Sequence, residues 1–200
     1  MPPAVTAAIL AGGLASRFGG ADKASLLVGG RRIIERQLAA LSPIAKEILI
    51  VGHDPARYAS LGIPVIGDLV PGAGPIGGIY TALMSARTPW VLALGCDMPY
   101  VSSALFEALA AAIGSDVDAV VPRSARGLEP LCAMYARDSV LVFKRRLDAG
   151  TWRLGGLFEE LRVREIGAAT LAAIDEDGRL FENINTPHDY ERAREVKQKR

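Results

Sequence analysis

Cysteine is nearly missing from this chain. There are two in 200 residues, Cys96 and Cys132, with no C-x-x-C spacing and no clustered histidine beside them. That scarcity argues against a disulfide framework and against a cysteine-built zinc site, and a reducing cytoplasm fits it best. Histidine is equally scarce: His53 and His188 stand far apart without ligand spacing, and both are expected at the surface. A dominant charge is missing too, since 23 Lys and Arg meet 22 Asp and Glu for a formal +1. No nucleic-acid partner is expected, and any positive field must be local. No apolar run approaches the ~20 residues that span a bilayer, so neither a membrane span nor a membrane partner is expected. Ala4 to Ala15 is mostly small and apolar, yet no Lys or Arg precedes it, which argues against a signal peptide.

Internal repeats, low-complexity tracts and long linkers are absent as well. With half of the residues apolar, the chain can bury a sizeable core, and a single domain over 1–200 is expected. Strand-like runs alternate with helical patterns. Strands are expected at Val5 to Leu10, Glu47 to Val51, Pro64 to Ile66, Trp90 to Leu94, Ala119 to Val121 and Pro130 to Tyr135, with a short one at Leu180 to Ile184. Helices are expected at Arg32 to Leu41, Pro75 to Ala86, Ala104 to Ile113 and Ser139 to Leu147, and from Pro187 onward. This alternation predicts an α/β fold, a doubly wound and mostly parallel sheet with helices on both faces.

The most informative stretch is Ala8-Ile9-Leu10-Ala11-Gly12-Gly13, followed by Arg17, Gly19, Gly20, Asp22 and Lys23. An apolar strand opens into a loop whose glycines let the backbone approach a ligand closely. Backbone N–H groups, Arg and Lys together suit a polyphosphate, so residues 8 to 23 read as a nucleoside triphosphate site. Two better-known phosphate loops do not fit. Ala21 and Asp22 separate Gly20 from Lys23, whereas a Walker loop needs Lys directly after its second glycine. No glycine set has the G-x-G-x-x-G spacing of the dinucleotide fingerprint.

Leu10-Ala11-Gly12-Gly13, then Arg17-Phe18-Gly19-Gly20, then Asp22-Lys23 resembles the signature of nucleotidyltransferases that build sugar nucleotides and related cofactors. Asp-Lys after a doubled glycine is similar to the molybdenum cofactor guanylyltransferases in particular. The resemblance implies a Rossmann-like nucleotidyltransferase fold, with nucleotide contacts in roughly residues 1–100 and the pterin substrate handled in roughly 101–200. It implies transfer of GMP from GTP to molybdenum-bearing molybdopterin with release of pyrophosphate. Product handover to apo-molybdoenzymes or their chaperones is implied too.

Later segments follow in the family's order. Gly95-Cys96-Asp97-Met98-Pro99 comes directly after an apolar strand, where ligands of open α/β sheets bind. One carboxylate is enough for Mg²⁺ shared with a nucleotide, although Asp before Pro is also a common turn. The family places Mg²⁺ and GTP on this aspartate, here Asp97, so the expected catalytic set is Arg17, Lys23 and Asp97. After Pro71, Gly72 to Gly78 packs four glycines into seven residues and suits either a loop pressed on a flat ligand or a plain surface loop. The family puts nucleotide contacts there, with Asp68 among them. The GTP-binding set is therefore expected at Leu10, Ala11, Gly12, Gly13, Lys23, Asp68 and Asp97. Asn183-Ile184-Asn185-Thr186-Pro187 puts two amides on one face of a strand, and the resemblance puts Asn183 and Asn185 on the molybdopterin side. The same residues serve equally as a helix start capped by Asn185 or Thr186. Glu129-Pro130-Leu131 with Tyr135 echoes the family. Arg153 is either an anion anchor or a snorkelling surface residue. Some relatives carry a GTP-contacting Asn where this chain reads Val51-Gly52-His53. A cytidylyltransferase would share the phosphate and metal residues and differ at the base loop. The short chain and the paired Asn argue against a sugar-1-phosphate enzyme, and the missing Walker loop argues against a regulatory GTP-binding module.

Overall fold

A computed structural model describes residues 3–12 and 23–194. The first apolar run forms β1 (Val5–Leu10), with every residue buried. Strands read as continuous hydrophobic runs when both faces of the sheet are covered. Next, the ribbon of β2 (Leu27–Val28) and β3 (Arg31–Arg32) turns through Gly29 and Gly30. Both glycines have positive φ, at 59° and 79°, a conformation that other residues adopt at a cost. The first half continues through α1 (Ile33–Leu41), β4 (Ala45–Val51), α2 (Pro55–Tyr58), β5 (Val65–Ile66), α3 (Pro75–Ser85) and β6 (Trp90–Gly95). The second half holds α4 (Ser103–Ala111), β7 (Ala119–Ser124), β8 (Gly127–Leu128), β9 (Cys132–Ala136), α5 (Val140–Asp148), β10 (Val163–Ile166), α6 (Ala168–Ile174) and α7 (Pro187–Arg194).

One sheet runs through both halves in the order β10-β7-β9-β6-β1-β4-β5, with β8 attached to β7. Neighbours pair in parallel except along β9, which lies antiparallel between β6 and β7, and at β8, which is antiparallel to β7. From β1 the chain builds outward through β4 and β5, then returns to place β6 on the other side of β1. That reversal leaves a crevice at the carboxyl ends of β1, β4 and β6, where ligands of such sheets bind.

Side chains alternate across the sheet. Ala7 and Ile9 join Ile34 and Leu41 of α1, Leu105 and Phe106 of α4 and Leu171 of α6 in one core. Ala8 and Leu10 join Ile76, Ile79 and Leu83 of α3 and Phe143 of α5 in a second. Both faces are thus covered, as the apolar runs predicted.

One expected strand does not form. Leu180 to Ile184 is turn and coil, because no neighbouring strand pairs with it. Leu180 and Phe181 instead bury in the first core, and Ile184 joins Val28, Ile33 and Ala193 in a small third cluster. This third cluster seats α7 on the β2–β3 ribbon, and Leu27 N adds a bond to the Tyr190 hydroxyl (3.3 Å). No helix among the described residues is long and apolar enough to cross a membrane.

Candidate functional site

Two groups of predicted residues flank the carboxyl end of β1. On one side Leu10, Ala11 and Gly12 line a cleft of about 540 Å³ together with Val51, Gly52 and Asp68. The backbone holds this edge open: Ala11 N donates to Val51 O (2.8 Å) and Gly52 N to Ile66 O (2.9 Å). Gly74 and Pro75 bring the start of α3 to the same cleft. Gly72 and Gly74 have φ of 86° and 69°, so this turn needs glycine, and Pro at the first helical position ends it. Gly77 is required for a different reason, since a Cβ there would sit 2.9 Å from Val70 O.

Asp68 lies in this cleft, half-buried, and Oδ1 carries its hydrogen bonds. Val70 N donates to Oδ1 at 3.0 Å, and the Thr81 hydroxyl lies 3.1 Å from it. Thr81 also accepts from Leu69 N (3.0 Å) and approaches Gly77 O (2.9 Å). Asp68 therefore shapes the glycine loop as well as facing the cleft. Thr81 was not among the expected residues, because a helix Thr carries no signal until its neighbours are known. His53 is exposed, as expected, yet it lines the cleft with Asp54 and Arg57.

On the other side of β1 stand Lys23, Asp97 and Asn185. Lys23 opens a short 3-10 turn, and Asp97 lies two residues past β6. Lys23 Nζ donates to Asn185 Oδ1 at 2.6 Å and lies 3.4 Å from Asp97 Oδ2. The Lys23 and Asp97 side chains are only 23% and 19% exposed, so their attraction is less screened than that of a surface pair. The turn carrying Asp97 is held through its carbonyl groups. Buried Gln37 of α1 donates from Nε2 to Gly95 O (2.8 Å) and Met98 O (3.1 Å), and Arg36 Nε donates to Pro99 O (2.9 Å). Ile184 N donates to Asp97 O (2.9 Å) and Cys96 N to Leu10 O (3.3 Å). Gln37 was missed, although its place on the apolar stripe Ile33, Gln37, Leu41 is the signal that could have found it.

The two asparagines do not share a face. Without strand geometry, Asn183 turns inward and its Oδ1 is buried with no hydrogen-bond partner among the described residues, while Asn185 is exposed and reaches Lys23. Helix capping falls to Thr186: its Oγ1 accepts from Asp189 N (3.1 Å), and Asp189 Oδ2 accepts from Thr186 N (2.9 Å) and Asn185 N (3.1 Å). Hydrogen bonding with the Thr186 side chain, then with these two backbone groups, holds the Asp189 carboxyl below its ordinary range. Glu129 accepts from Ser124 Oγ (2.6 Å), and Tyr135 donates to Pro130 O (2.8 Å). Arg153 is exposed, and its carbonyl accepts from Arg146 (2.9 Å). Gly13 and Arg17 lie outside the described residues, as do Gly19, Gly20 and Asp22.

The donor chemistry suits magnesium. Asp97 offers a hard carboxylate oxygen just past the carboxyl end of β6, and Mg²⁺ bound with a nucleotide takes one or two protein carboxylates, the rest of its shell being phosphate and water.

Residues 7–160 match the family described as MobA-like NTP transferase domain. A molybdenum cofactor guanylyltransferase of Desulfosudis oleivorans is 36% identical, with 95% of this chain and 94% of the relative covered. A probable molybdenum cofactor guanylyltransferase of Carboxydothermus hydrogenoformans is 35% identical, with 94% of each covered. Among solved structures, molybdopterin-guanine dinucleotide biosynthesis protein A of Archaeoglobus fulgidus superposes with a TM-score of 0.78 at 30% identity, covering 95% of this chain and 97% of that one.

Proposed function

Since this chain belongs to the MobA-like NTP transferase family, we propose that it transfers GMP from GTP to molybdenum-bearing molybdopterin in the cytoplasm. The reading has its support in one juxtaposition: Lys23 and Asp97 meet at 3.4 Å beside β1, whose carboxyl end opens into the glycine-lined cleft. In the proposed reaction a terminal phosphate oxygen of molybdopterin attacks the α-phosphorus of GTP. A new P–O bond forms as the bond to the β-phosphate bridging oxygen breaks, and pyrophosphate leaves with its electron pair. No protein nucleophile is needed, so the residues act by positioning and charge stabilisation. Lys23 offers three N–H donors to phosphate oxygens as charge moves toward the leaving group, and Arg17 is assigned the same role. Asp97 would hold Mg²⁺, which supplies neutralisation of the phosphates when bound. The glycine loop and Asp68 would face the base or ribose, and the segment around Asn185 would border the acceptor. Handover of the product to apo-molybdoenzymes or their chaperones belongs to the same proposal.

Nucleotide ranking tests the reading. With Mg²⁺ present, GTP at 100 times its Kd should stabilise the fold by about 2.7 kcal/mol, an increase of several degrees in melting temperature at this size. CTP at the same concentration should do much less. A CTP shift equal to or larger than that of GTP would transfer the assignment to cytidylyl chemistry.

A further inference from the structure

Lys23 sits in an order that charge alone does not produce. Ammonium–carboxylate hydrogen bonds settle at about 2.7–2.9 Å and are roughly twice as strong as neutral ones. Here the neutral amide of Asn185 holds the shorter bond, 2.6 Å, while the Asp97 carboxylate stands at 3.4 Å. Asn185 has a fixed place of its own from which to do this. Ile184 N is bonded to Asp97 O (2.9 Å), Asn185 N to Asp189 (3.1 Å), and the Ile184 side chain is buried against Val28 and Ile33.

Resting on the nucleotide-transfer reading, we propose that Asn185 is a positioning residue for Lys23. It draws the ammonium back to a long 3.4 Å contact with Asp97 Oδ2, which leaves the carboxylate able to take a cation and leaves a remaining N–H of Lys23 for phosphate oxygens. Lys23 lies near the start of the chain and Asn185 near its end, and one cation is shared between the nucleotide side and the acceptor side. The residue assigned by resemblance to molybdopterin therefore contributes to GTP affinity before any acceptor binds.

The test measures GTP binding with Mg²⁺ and no second substrate, by calorimetry on the full-length protein. Asn185→Ala should raise the Kd about tenfold, the size of one lost hydrogen bond to a charged group at the low end of its range. Asn185→Ser, whose oxygen is too short to reach Lys23, should do the same. In a Lys23→Met background the Asn185→Ala change should add almost nothing, because the residue it positions is gone. The Mg²⁺ concentration needed for half-maximal GTP binding should rise in Asn185→Ala, a readout that simple loosening of α7 does not move. Folding is expected to survive, since Thr186 and not Asn185 caps α7, and a thermal melt checks it. Wild-type GTP affinity in Asn185→Ala alongside weakened binding in Lys23→Met overturns the inference, as does full additivity of the two changes. Absence of GTP binding by the unaltered protein overturns the transfer reading, and this inference with it.

Discussion

Gln37 occupies a fully buried place on α1 between Ile33 and Leu41, where an apolar side chain would ordinarily pack. Its Nε2 bridges Gly95 O and Met98 O, on either side of Asp97, so an amide in the core sets the position of a half-buried carboxylate. Gln37→Leu keeps the volume but leaves two carbonyl groups unpaired. The expected loss is about 1–3 kcal/mol of stability, measured by denaturant unfolding. Turnover should fall further than stability predicts, by roughly tenfold to a hundredfold, because displacement of a catalytic group by an ångström is that costly. A Gln37→Leu protein with wild-type turnover would show that the turn keeps its shape without the clamp. Asp97→Asn poses the complementary question. Shape is kept and charge removed, and with several kcal/mol of transition-state stabilisation assigned to the bound metal, turnover should drop at least about a hundredfold while the melting curve stays close to wild type. Near-normal guanylyl transfer by Asp97→Asn at saturating GTP and Mg²⁺ would falsify the role given to Asp97.

At the scale of elements, α7 depends on its first turn. Thr186 and Asp189 cap each other, and Thr186→Ala should cost about 1 kcal/mol, read as a lower melting temperature. Acid should reproduce part of this loss. The Asp189 carboxyl titrates below its ordinary value of 3.8 in the folded protein, first through the Thr186 side-chain hydrogen bond. A depressed folded pKa contributes stability that is complete above the unfolded value and disappears as pH falls through the folded one. The stability difference between wild type and Asp189→Asn should therefore be flat from neutral pH down to about 4 and shrink below it; a difference that grows on acidification contradicts the assignment. The glycine loop at the start of α3 is a second sensitive element. Gly77→Ala places a methyl 2.9 Å from Val70 O, an overpacking expected to cost about 1–3 kcal/mol and to weaken GTP binding together with stability. Elements such as β1, α3 and β6 were legible because unbroken apolar runs are bounded by Gly and Pro. Leu180 to Ile184 misled for a physical reason: its apolar residues do bury, but they bury in two separate clusters, and strand identity depends on a partner that local sequence does not contain. That Lys23 and Asp97 share one end of the sheet followed from their places after apolar strands, but the contact of Asn185 with Lys23 was not foreseen, because the resemblance put Asn185 on the acceptor side and Lys23 on the triphosphate. Their mutual distances depend on long-range packing, which also decided that Thr186 caps the helix and that Asn183 turns inward.

Across the whole molecule, a single sheet joins the strands of the first hundred residues to β7, β9 and β10, so the two halves of the chain have no seam in the sheet along which to separate. Calorimetry should show one cooperative unfolding transition, with calorimetric and van't Hoff enthalpies equal, and GTP with Mg²⁺ should shift that transition as a unit. Two resolved transitions, only one of them moved by GTP, would place a domain boundary inside the sheet. The reversed strand β9 has a further effect. In a sheet whose strands all point one way, only strand exits supply loops to the ligand-binding edge, and each connection must cross back over a face. Because β9 runs the other way, the chain leaves β7 and enters β9 along that same edge. Residues 125–131 thus form a hairpin whose Leu131 O accepts from Gly95 N (2.8 Å), directly ahead of Asp97. A descendant of this protein could lengthen or recompose that hairpin without disturbing any crossover helix, which gives evolution a place to alter what this edge meets while the cleft beside β1 is inherited unchanged.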